Sequence, residues 1–209
     1  MSVRVTVIDY GAGNLHSVGK ALREAGAEVC VTDNPGEVRQ ADRLVLPGVG
    51  AFADGMKGLR DRGLVDTLRE YFGTERPFLG ICLGMQMLLQ RSEEFGDHEG
   101  LGFIPGRVVG IPFHPGFKVP HVGWSRIAPP LNRSWAGTIL SETPPGTRVY
   151  FVHSYSAVPE VESDRLADTL YGGYRISAAI QRGSVIGCQF HPEKSGALGL
   201  TMVRRFLAL

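Results

Sequence analysis

Apolar and polar residues follow two repeating patterns in the first half of the chain. Short apolar or alternating runs are typical of strands, whereas apolar residues spaced by three or four are typical of amphipathic helices. Leu15, Val18, Leu22 and Ala25 have the helical spacing, and Gly26 is a suitable end for that helix. The patterns predict strands at 3–8, 28–32, 43–46 and 76–81, and helices at 14–25, 63–72 and 85–90.

The middle of the chain, residues 101–180, has a different character. Proline and glycine are frequent there and the β-rich segments are short, which favours antiparallel or mixed strands. The later elements predicted by the pattern are strands at 106–110, 148–153 and 175–181, a hairpin connection at 181–185 and a closing helix at 197–207. Strands that alternate with helices predict a doubly wound, mostly parallel sheet with helices on both faces. We therefore expect a single α/β domain over 1–209 with a β-rich antiparallel middle section.

Composition and charge exclude several classes of function. The 209 residues carry a formal net charge of +1, and basic and acidic residues are intermixed, so there is no electrostatic footprint for nucleic acid. No apolar stretch approaches the roughly 20 residues that span a bilayer, and the N-terminus lacks the long apolar region of a signal peptide. We expect neither a nucleic-acid nor a membrane partner.

The three cysteines indicate the redox environment. Their number is odd, and Cys30 and Cys188 both lie in strand-like runs that favour buried thiols. This usage predicts a cytoplasmic protein in a reducing compartment, without disulfides.

Cys82 lies between two glycines, where a predicted strand meets a predicted helix. The glycines of Gly80-Ile-Cys-Leu-Gly84 make room for a sharp turn, which would push the cysteine side chain out over the edge of the sheet. The helix that follows would direct free N–H groups at the sulfur and favour a thiolate. Because most free cysteines are inert packing residues, this motif alone leaves both a structural and a catalytic role open.

A suitable base follows much later, where a strand-like stretch leads into His191-Pro-Glu193. Histidine is the side chain most often used to accept a proton near neutral pH, and Glu193 could orient its ring through the other ring nitrogen. In isolation His-Pro-Glu is more typical of a surface turn. Together with the glycine-flanked cysteine it predicts a triad of Cys82, His191 and Glu193, since carboxyl ends of parallel strands lie at one edge of a sheet.

These motifs resemble the class I, triad-type, glutamine amidotransferases. Within that class the chain is similar to the glutaminase subunits of imidazole glycerol phosphate synthase, at four further stretches: 9–15, 46–52, 120–124 and 150–155. The resemblance covers nearly the whole chain and does not depart from the family pattern at the triad. It implies a glutaminase that passes ammonia to a (β/α)₈-barrel cyclase, forming imidazole glycerol phosphate and aminoimidazole carboxamide ribotide in histidine biosynthesis.

An amide hydrolase of this kind needs two N–H donors for the oxyanion of its tetrahedral intermediate. One donor follows from the sharp turn itself, the N–H of Leu83. Pro47-Gly-Val-Gly50 is a second source or an ordinary turn, and the resemblance assigns it to the oxyanion hole through Val49. The resemblance also supports substrate contacts at Gly50, Gln86, His153, Ser154 and Tyr155, and Trp124, Tyr150 and Lys194 are candidates for the partner-facing surface.

Two alternatives and two absences complete the sequence argument. The alternatives are another triad amidotransferase subunit, which the motifs at 9–14 and 121–124 disfavour, and a free-standing γ-glutamyl hydrolase of the same fold. The glycine-rich stretch after the first strand lacks the third glycine of a dinucleotide site, so we expect no cofactor. The chain contains neither His-Glu-x-x-His nor Cys-x-x-Cys, so we expect no metal site.

Overall fold

The computed structural model describes residues 3–112 and 115–209. Its helices are Leu15–Glu24 (α1), Pro35–Gln40 (α2), Phe52–Asp61 (α3), Leu64–Phe72 (α4), Leu83–Met87 (α5) and Gly196–Leu207 (α6), with 3₁₀ turns at Glu162–Asp164 and Pro192–Lys194. Its strands are Val3–Ile8 (β1), Ala27–Thr32 (β2), Leu44–Gly48 (β3), Phe78–Cys82 (β4), Leu89–Ser92 (β5), His98–Glu99 (β6), Ile104–Gly110 (β7), His121–Arg126 (β8), Arg148–His153 (β9), Tyr155–Pro159 (β10), Arg165–Tyr171 (β11), Tyr174–Arg182 (β12) and Val185–Cys188 (β13).

A seven-stranded sheet forms the centre of the fold, in the order β11-β12-β13-β4-β3-β1-β2. The strands from β13 to β2 pair in parallel, whereas β12 and β11 extend the sheet antiparallel. Every residue of β3 and β4 is buried, as expected for parallel strands covered on both faces. The predicted α/β fold with a mostly parallel sheet is confirmed.

Helices cover both faces of this sheet. On one face, Leu22 of α1 and Phe206 of α6 pack in a layer with Val45 of β3. On the other face, α3 and α4 pack against Leu44 and Leu46 of the same strand. This division follows from the strand geometry, because successive side chains point to opposite faces. The sheet is therefore doubly wound.

Much of the middle section forms two smaller sheets, whereas β11 and β12 extend the central sheet and the strand predicted at 175–181 lies within β12. One has four strands in the order β10-β7-β5-β6, and the other is the antiparallel ribbon of β8 and β9. The predicted strand at 148–153 coincides with β9, and the one predicted at 106–110 is the last part of β7. In the described ranges no helix is long and apolar enough to cross a membrane.

Two local predictions were wrong. The helix predicted at 85–90 ends at Met87, because the chain continues as β5 and pairs with β7. Its apolar residues are buried on all sides, and such a run does not distinguish a helix from a strand. Cys30 is exposed instead of buried, because β2 is the edge strand of the central sheet and part of its surface faces solvent.

Candidate active site

Cys82 occupies a strained turn between β4 and α5. Its φ of +54° and ψ of −109° lie outside the regions that non-glycine residues usually adopt. Side chains on either flank would not fit, since a Cβ on Gly80 would lie 2.6 Å from Gly84 O and one on Gly84 would lie 1.8 Å from Leu46 O. The two glycines therefore permit the close packing of β3, β4 and α5 that holds the cysteine at the sheet edge.

His191 and Glu193 form a buried hydrogen-bonded pair beyond the end of β13. In the parallel register of β13 and β4, Cys188 lies opposite Ile81, so the residues that follow both strands reach the same edge. His191 Nδ1 lies 2.8 Å from Glu193 Oε1, and the two side chains are 2% and 1% exposed. Because Nδ1 is engaged by the carboxylate, Nε2 is the ring nitrogen available to Cys82.

Two neighbours control the charge of His191. Burial lowers the pKa of the imidazole, but interactions with Cys82 and Glu193 together outweigh it, and the pKa is raised from 6.5 to about 9. Within the described residues His191 Nε2 has no hydrogen-bond partner. The imidazole ring is nevertheless near enough to Cys82 for a cysteinate to stabilise the imidazolium. The imidazolium is therefore favoured at neutral pH, with a proton on Nε2 to donate.

The three cysteines have different surroundings. Burial, followed by the charge of Glu193, raises the pKa of the Cys188 thiol, which makes that residue unreactive. Cys30 is exposed on the edge strand, with its Sγ donating to Glu37 Oε2 at 4.0 Å. Cys82 combines access to a cavity with a neighbouring imidazolium, which is the environment of a reactive cysteine.

A cavity of about 320 Å³ opens beside Cys82. The loop after β3, the turn at Cys82 and the connection from β9 to β10 form its walls. The sequence-predicted residues that line it are Val49, Gly50, Cys82, Leu83, Gln86, His153, Ser154 and Tyr155. Its volume is at the lower end of the range for small-molecule sites, which fits a ligand of amino-acid size.

The loop after β3 is held at one end and open at the other. A Cβ on Gly48 would lie 2.4 Å from Tyr10 Oη and 2.9 Å from Gly84 N, so this residue is enclosed. Gly50 has a φ of +101°, and a Cβ there would meet nothing within 4 Å. The Val49 side chain between them is 43% exposed. Val49 and Gly50 are therefore the exposed and unobstructed part of this loop.

Gln86 is buried, unlike a routine polar residue on a helix surface. Its Nε2 donates a hydrogen bond to Tyr155 O at 2.9 Å and another to Gln189 Oε1 at 3.1 Å. Gln189 is fully buried, and its own Nε2 lies 3.7 Å from Cys82 Sγ. Two consecutive amides thus connect the cavity wall to the cysteine.

Sequence reasoning missed several residues around Cys82. Glu94 adds a carboxylate to the cavity lining and accepts a hydrogen bond from Phe52 N at 2.5 Å. Its polar surroundings in sequence match no motif, so no signal identified it. Val152 acts through its main chain, since its carbonyl accepts from Cys82 Sγ at 3.8 Å, and main-chain contacts leave no mark in a sequence.

Tyr10 was also missed, although it lies inside a stretch that carried the family resemblance. Its hydroxyl is buried beside Gly48 and has no hydrogen-bond partner among the described residues. Burial, followed by the charge of Cys82, raises the pKa of this hydroxyl, which keeps it protonated. A neutral hydroxyl therefore lies beside Gly48, near enough to Cys82 to be influenced by its charge.

A chain of buried side chains runs behind the cavity wall. His153 Nδ1 lies 2.8 Å from Tyr155 O and its Nε2 lies 3.1 Å from His121 Nδ1, while His121 Nε2 lies 2.8 Å from Ser125 Oγ. A carbonyl only accepts, so both rings carry their proton on Nδ1 and Ser125 donates to His121. Burial lowers the pKa of His153 to about 3 and that of His121 to about 4, so both are neutral.

In the described ranges no three His, Cys, Asp or Glu side chains are grouped to hold a metal ion.

The outer face of the β8–β9 ribbon continues from the cavity to the surface. Its cross-strand pairs on this face are Val122–Val152, Trp124–Tyr150 and Arg126–Arg148. Trp124 is 52% exposed, with its ring 6.1 Å from that of Tyr150, and Lys194 Nζ lies 5.9 Å from the centre of the tyrosine ring. The Tyr150 ring is in turn 6.5 Å from His191. The three predicted partner-facing residues therefore form one surface that adjoins the histidine.

Known proteins resemble this chain over nearly its whole length. The family model for "Glutamine amidotransferase class-I" matches residues 6–208. The protein is 49% identical over 210 residues to imidazole glycerol phosphate synthase subunit HisH 1 of Legionella pneumophila (strain Lens), covering 98% of this chain and 99% of that one. Subunit HisH of Thermosynechococcus vestitus is 45% identical over 205 residues, covering 98% and 96%. The solved structure of PurLQS from Thermotoga maritima shares the fold, with a TM-score of 0.76, 17% identity and coverage of 100% of this chain and 98% of that one. The chain belongs to the class I glutamine amidotransferase family.

Proposed function

We propose that this chain is the glutaminase subunit of an imidazole glycerol phosphate synthase, with Cys82, His191 and Glu193 as its catalytic triad. The observation that carries the proposal is a cysteine on a strained turn that adjoins both a cavity of amino-acid size and a buried histidine–carboxylate pair. Similarity to HisH subunits over nearly the whole chain supports the role in histidine biosynthesis.

The proposed reaction proceeds through a thioester. The Cys82 sulfur attacks the side-chain amide carbon of glutamine, and the His191 imidazolium gives its Nε2 proton to the nitrogen that leaves as ammonia. Water then adds to the γ-glutamyl thioester while His191 Nε2 takes its proton, which releases glutamate and restores the sulfur. Glu193 holds the ring through Nδ1 in both steps, so Nε2 faces the reacting atoms throughout.

The oxyanion formed in each step needs donors beside Cys82. Leu83 follows the cysteine at the start of α5, where N–H groups have no partner within the helix. Val49 lines the cavity from the other side, in the exposed part of its loop. We assign the N–H groups of Leu83 and Val49 to the oxyanion hole.

The remaining cavity residues match the groups of glutamine. Glu94 supplies a carboxylate for the α-ammonium group, and Gly50 allows the substrate to approach the main chain. Gln86, His153, Ser154 and Tyr155 form the remaining polar lining. His153 is neutral and both of its ring nitrogens are already bonded, to Tyr155 O and to His121 Nδ1, so it lines the cavity without adding a charge.

Ammonia released here would be delivered to a (β/α)₈-barrel cyclase subunit. The surface of Trp124, Tyr150 and Lys194 is the proposed docking area, because it combines exposed aromatic area with a cation and adjoins His191. The cyclase would use the ammonia to form imidazole glycerol phosphate and aminoimidazole carboxamide ribotide.

The partner should act on the rate of hydrolysis more than on substrate binding. Removal of one oxyanion donor costs roughly 10²–10³ in rate, and the exposed Val49 peptide, next to the unobstructed Gly50, is the donor that a partner can reorient. We expect the isolated chain to be a poor glutaminase. When the cyclase and its ligand bind, kcat should rise by roughly the same 10²–10³-fold, with little change in KM. Steady-state glutamate release by the chain alone, with cyclase, and with cyclase plus ligand measures this effect.

The same measurement separates the proposed function from its competitors. Full kcat in the isolated chain would identify a free-standing γ-glutamyl hydrolase instead of a gated subunit. Stimulation by the synthase partner of another pathway, but not by the histidine-pathway cyclase, would identify another triad amidotransferase subunit.

Trp124→Ala should weaken binding to the cyclase. A half-exposed tryptophan at the centre of an interface typically contributes at least about 2 kcal/mol, which corresponds to a Kd roughly 30-fold higher. Isothermal titration of the cyclase with each variant measures the change. Val31→Ala is the control, since Val31 is 43% exposed on the edge strand at the far side of the sheet. Equal affinities of the Trp124→Ala variant and the unmodified chain would place the interface elsewhere.

A further inference from the structure

Gln189 is a fully buried polar side chain that contacts the proposed nucleophile. It lies between the end of β13 and His191, where the family motif is His-Pro-Glu, and no role was predicted for it. Its Nε2 lies 3.7 Å from Cys82 Sγ and its Oε1 accepts from Gln86 Nε2 at 3.1 Å. Burial of a side-chain amide costs free energy even when its nitrogen and oxygen both have partners, so a buried amide at this position points to a specific role.

The orientation of this amide follows from its neighbours. Amide oxygen and nitrogen are assigned from the hydrogen-bond network, and here the network begins at a main-chain carbonyl, which only accepts. Tyr155 O therefore requires the NH₂ group of Gln86 to face it. The same NH₂ group then faces Gln189, which must present its oxygen to Gln86 and its own NH₂ group to Cys82.

The two contacts of the Cys82 sulfur favour opposite protonation states. Val152 O, at 3.8 Å, accepts a hydrogen bond from the thiol and is repelled by a thiolate. The NH₂ group of Gln189 donates to the sulfur, and a donor stabilises the charged form more than the neutral one. When the thiol proton passes to His191 Nε2, the Val152 contact is lost and the Gln189 contact strengthens.

We propose that Gln189 is a catalytic residue, whose side-chain N–H stabilises the Cys82 thiolate, and that Gln86 and the Tyr155 carbonyl fix its orientation. The proposal rests on the proposed function, in which Cys82 is the nucleophile. It assigns Gln86 a second role besides lining the cavity, since the oxygen of Gln189 would be free to turn toward the sulfur without it.

Gln189→Met tests the proposal, because methionine keeps the length and volume of the side chain and removes both polar atoms. Alkylation of Cys82 by iodoacetamide, followed by peptide mass spectrometry between pH 5 and 10, measures the thiolate directly and needs no glutamine. We expect the rate at pH 7 to fall about tenfold while the plateau at alkaline pH stays unchanged. In the complex with cyclase, kcat should fall roughly 10–100-fold with little change in KM.

Gln181→Met is the matched control. Gln181 lies on the neighbouring strand β12, donates to Gly183 O at 3.1 Å and takes no part in the site. Its alkylation profile and kcat should equal those of the unmodified chain. Circular dichroism and cyclase binding establish that both variants are folded. If Gln189→Met is unfolded, Gln189→Glu keeps the shape and places an anion against the sulfur, which disfavours the thiolate and should move the alkylation profile to higher pH.

The outcomes separate the two claims. Unchanged alkylation profiles in the folded Gln189 variants would overturn the role of Gln189 even if Cys82→Ala abolishes activity. A glutaminase that survives Cys82→Ala would overturn the proposed function, whatever the alkylation profiles show.

Discussion

Replacement of Cys82 by alanine is expected to abolish glutamine hydrolysis, by about four orders of magnitude or more, because the members of a triad act as a unit. The cyclase reaction driven by added ammonium should be retained in the complex, since its chemistry belongs to the other subunit. Glutamate release and ammonium-dependent turnover, measured on the same preparation, give both quantities.

The other cysteines provide controls for this experiment. Cys30→Ala alters an exposed thiol on the edge strand and should leave hydrolysis unchanged. An electrophilic glutamine analogue should label Cys82 and spare Cys188, whose burial keeps its thiol protonated. Loss of the ammonium-dependent reaction together with hydrolysis, or dominant labelling of another cysteine, would contradict the assignment.

Cys82→Ala should also change His191 in a way that does not depend on activity. Cys82 contributes both hydrogen bonding and charge to the raised pKa of His191, which is about 9. Without the sulfur only Glu193 opposes the effect of burial, so the pKa of His191 should fall. NMR titration of the imidazole measures the shift, and an unchanged pKa would show that the two side chains do not interact.

Strands β3 and β4 at the centre of the sheet were predictable from the sequence because they are buried on both faces, whereas β11 at its edge was not predicted. β4 appears as a short apolar run, β1 appears as an alternating run, and α1 has clear apolar spacing. The carboxyl ends of parallel strands meet at one edge, so the positions of Cys82 and His191 relative to the sheet followed from topology alone.

Helices α2 and α3 were not predicted, for different physical reasons. α2 has only six residues, and its signal is the Asn34 cap followed by Pro35, which is also typical of a turn. α3 contains Gly55 and Gly58, which have low helix propensity, and both are required by packing, since a Cβ there would lie 2.8 Å from Met87 Sδ and 2.4 Å from Tyr10 O. Tertiary contacts override local propensity at these positions.

The candidate site shows the same limit. The residue types of Cys82 and His191 already indicate nucleophilic and acid–base chemistry. Glu94, Val152 and Gln189 are identified as site residues only by what they contact. No sequence pattern distinguishes these three from other residues. They are a carboxylate in a polar loop, a main-chain carbonyl and an amide just after a strand. Their contributions depend on distances that no local pattern encodes.

His191→Ala is expected to lower hydrolysis nearly as much as Cys82→Ala, because it removes both the acceptor of the thiol proton and the donor to the leaving ammonia. Glutamate release in the cyclase complex measures the loss, with ammonium-dependent turnover as the control. A rate within tenfold of the unmodified complex would show that another group moves these protons.

Glu193→Gln should have a smaller and more informative effect. The amide keeps the shape of the carboxylate but loses its charge, so the imidazolium loses a buried partner now 2.8 Å away and kcat should fall roughly 10²–10⁴-fold.

The same variant should change the pH dependence. Glu193 raises the pKa of His191 through both its hydrogen bond and its charge, so the pKa should fall from about 9 in the variant. Because the imidazolium is the proton donor of the proposed reaction, activity is lost as pH rises through that value. The alkaline limb of kcat/KM should therefore begin near pH 9 in the unmodified complex and at lower pH in the variant. An unmoved limb with a wild-type rate would make Glu193 a structural residue and the site a dyad of Cys82 and His191.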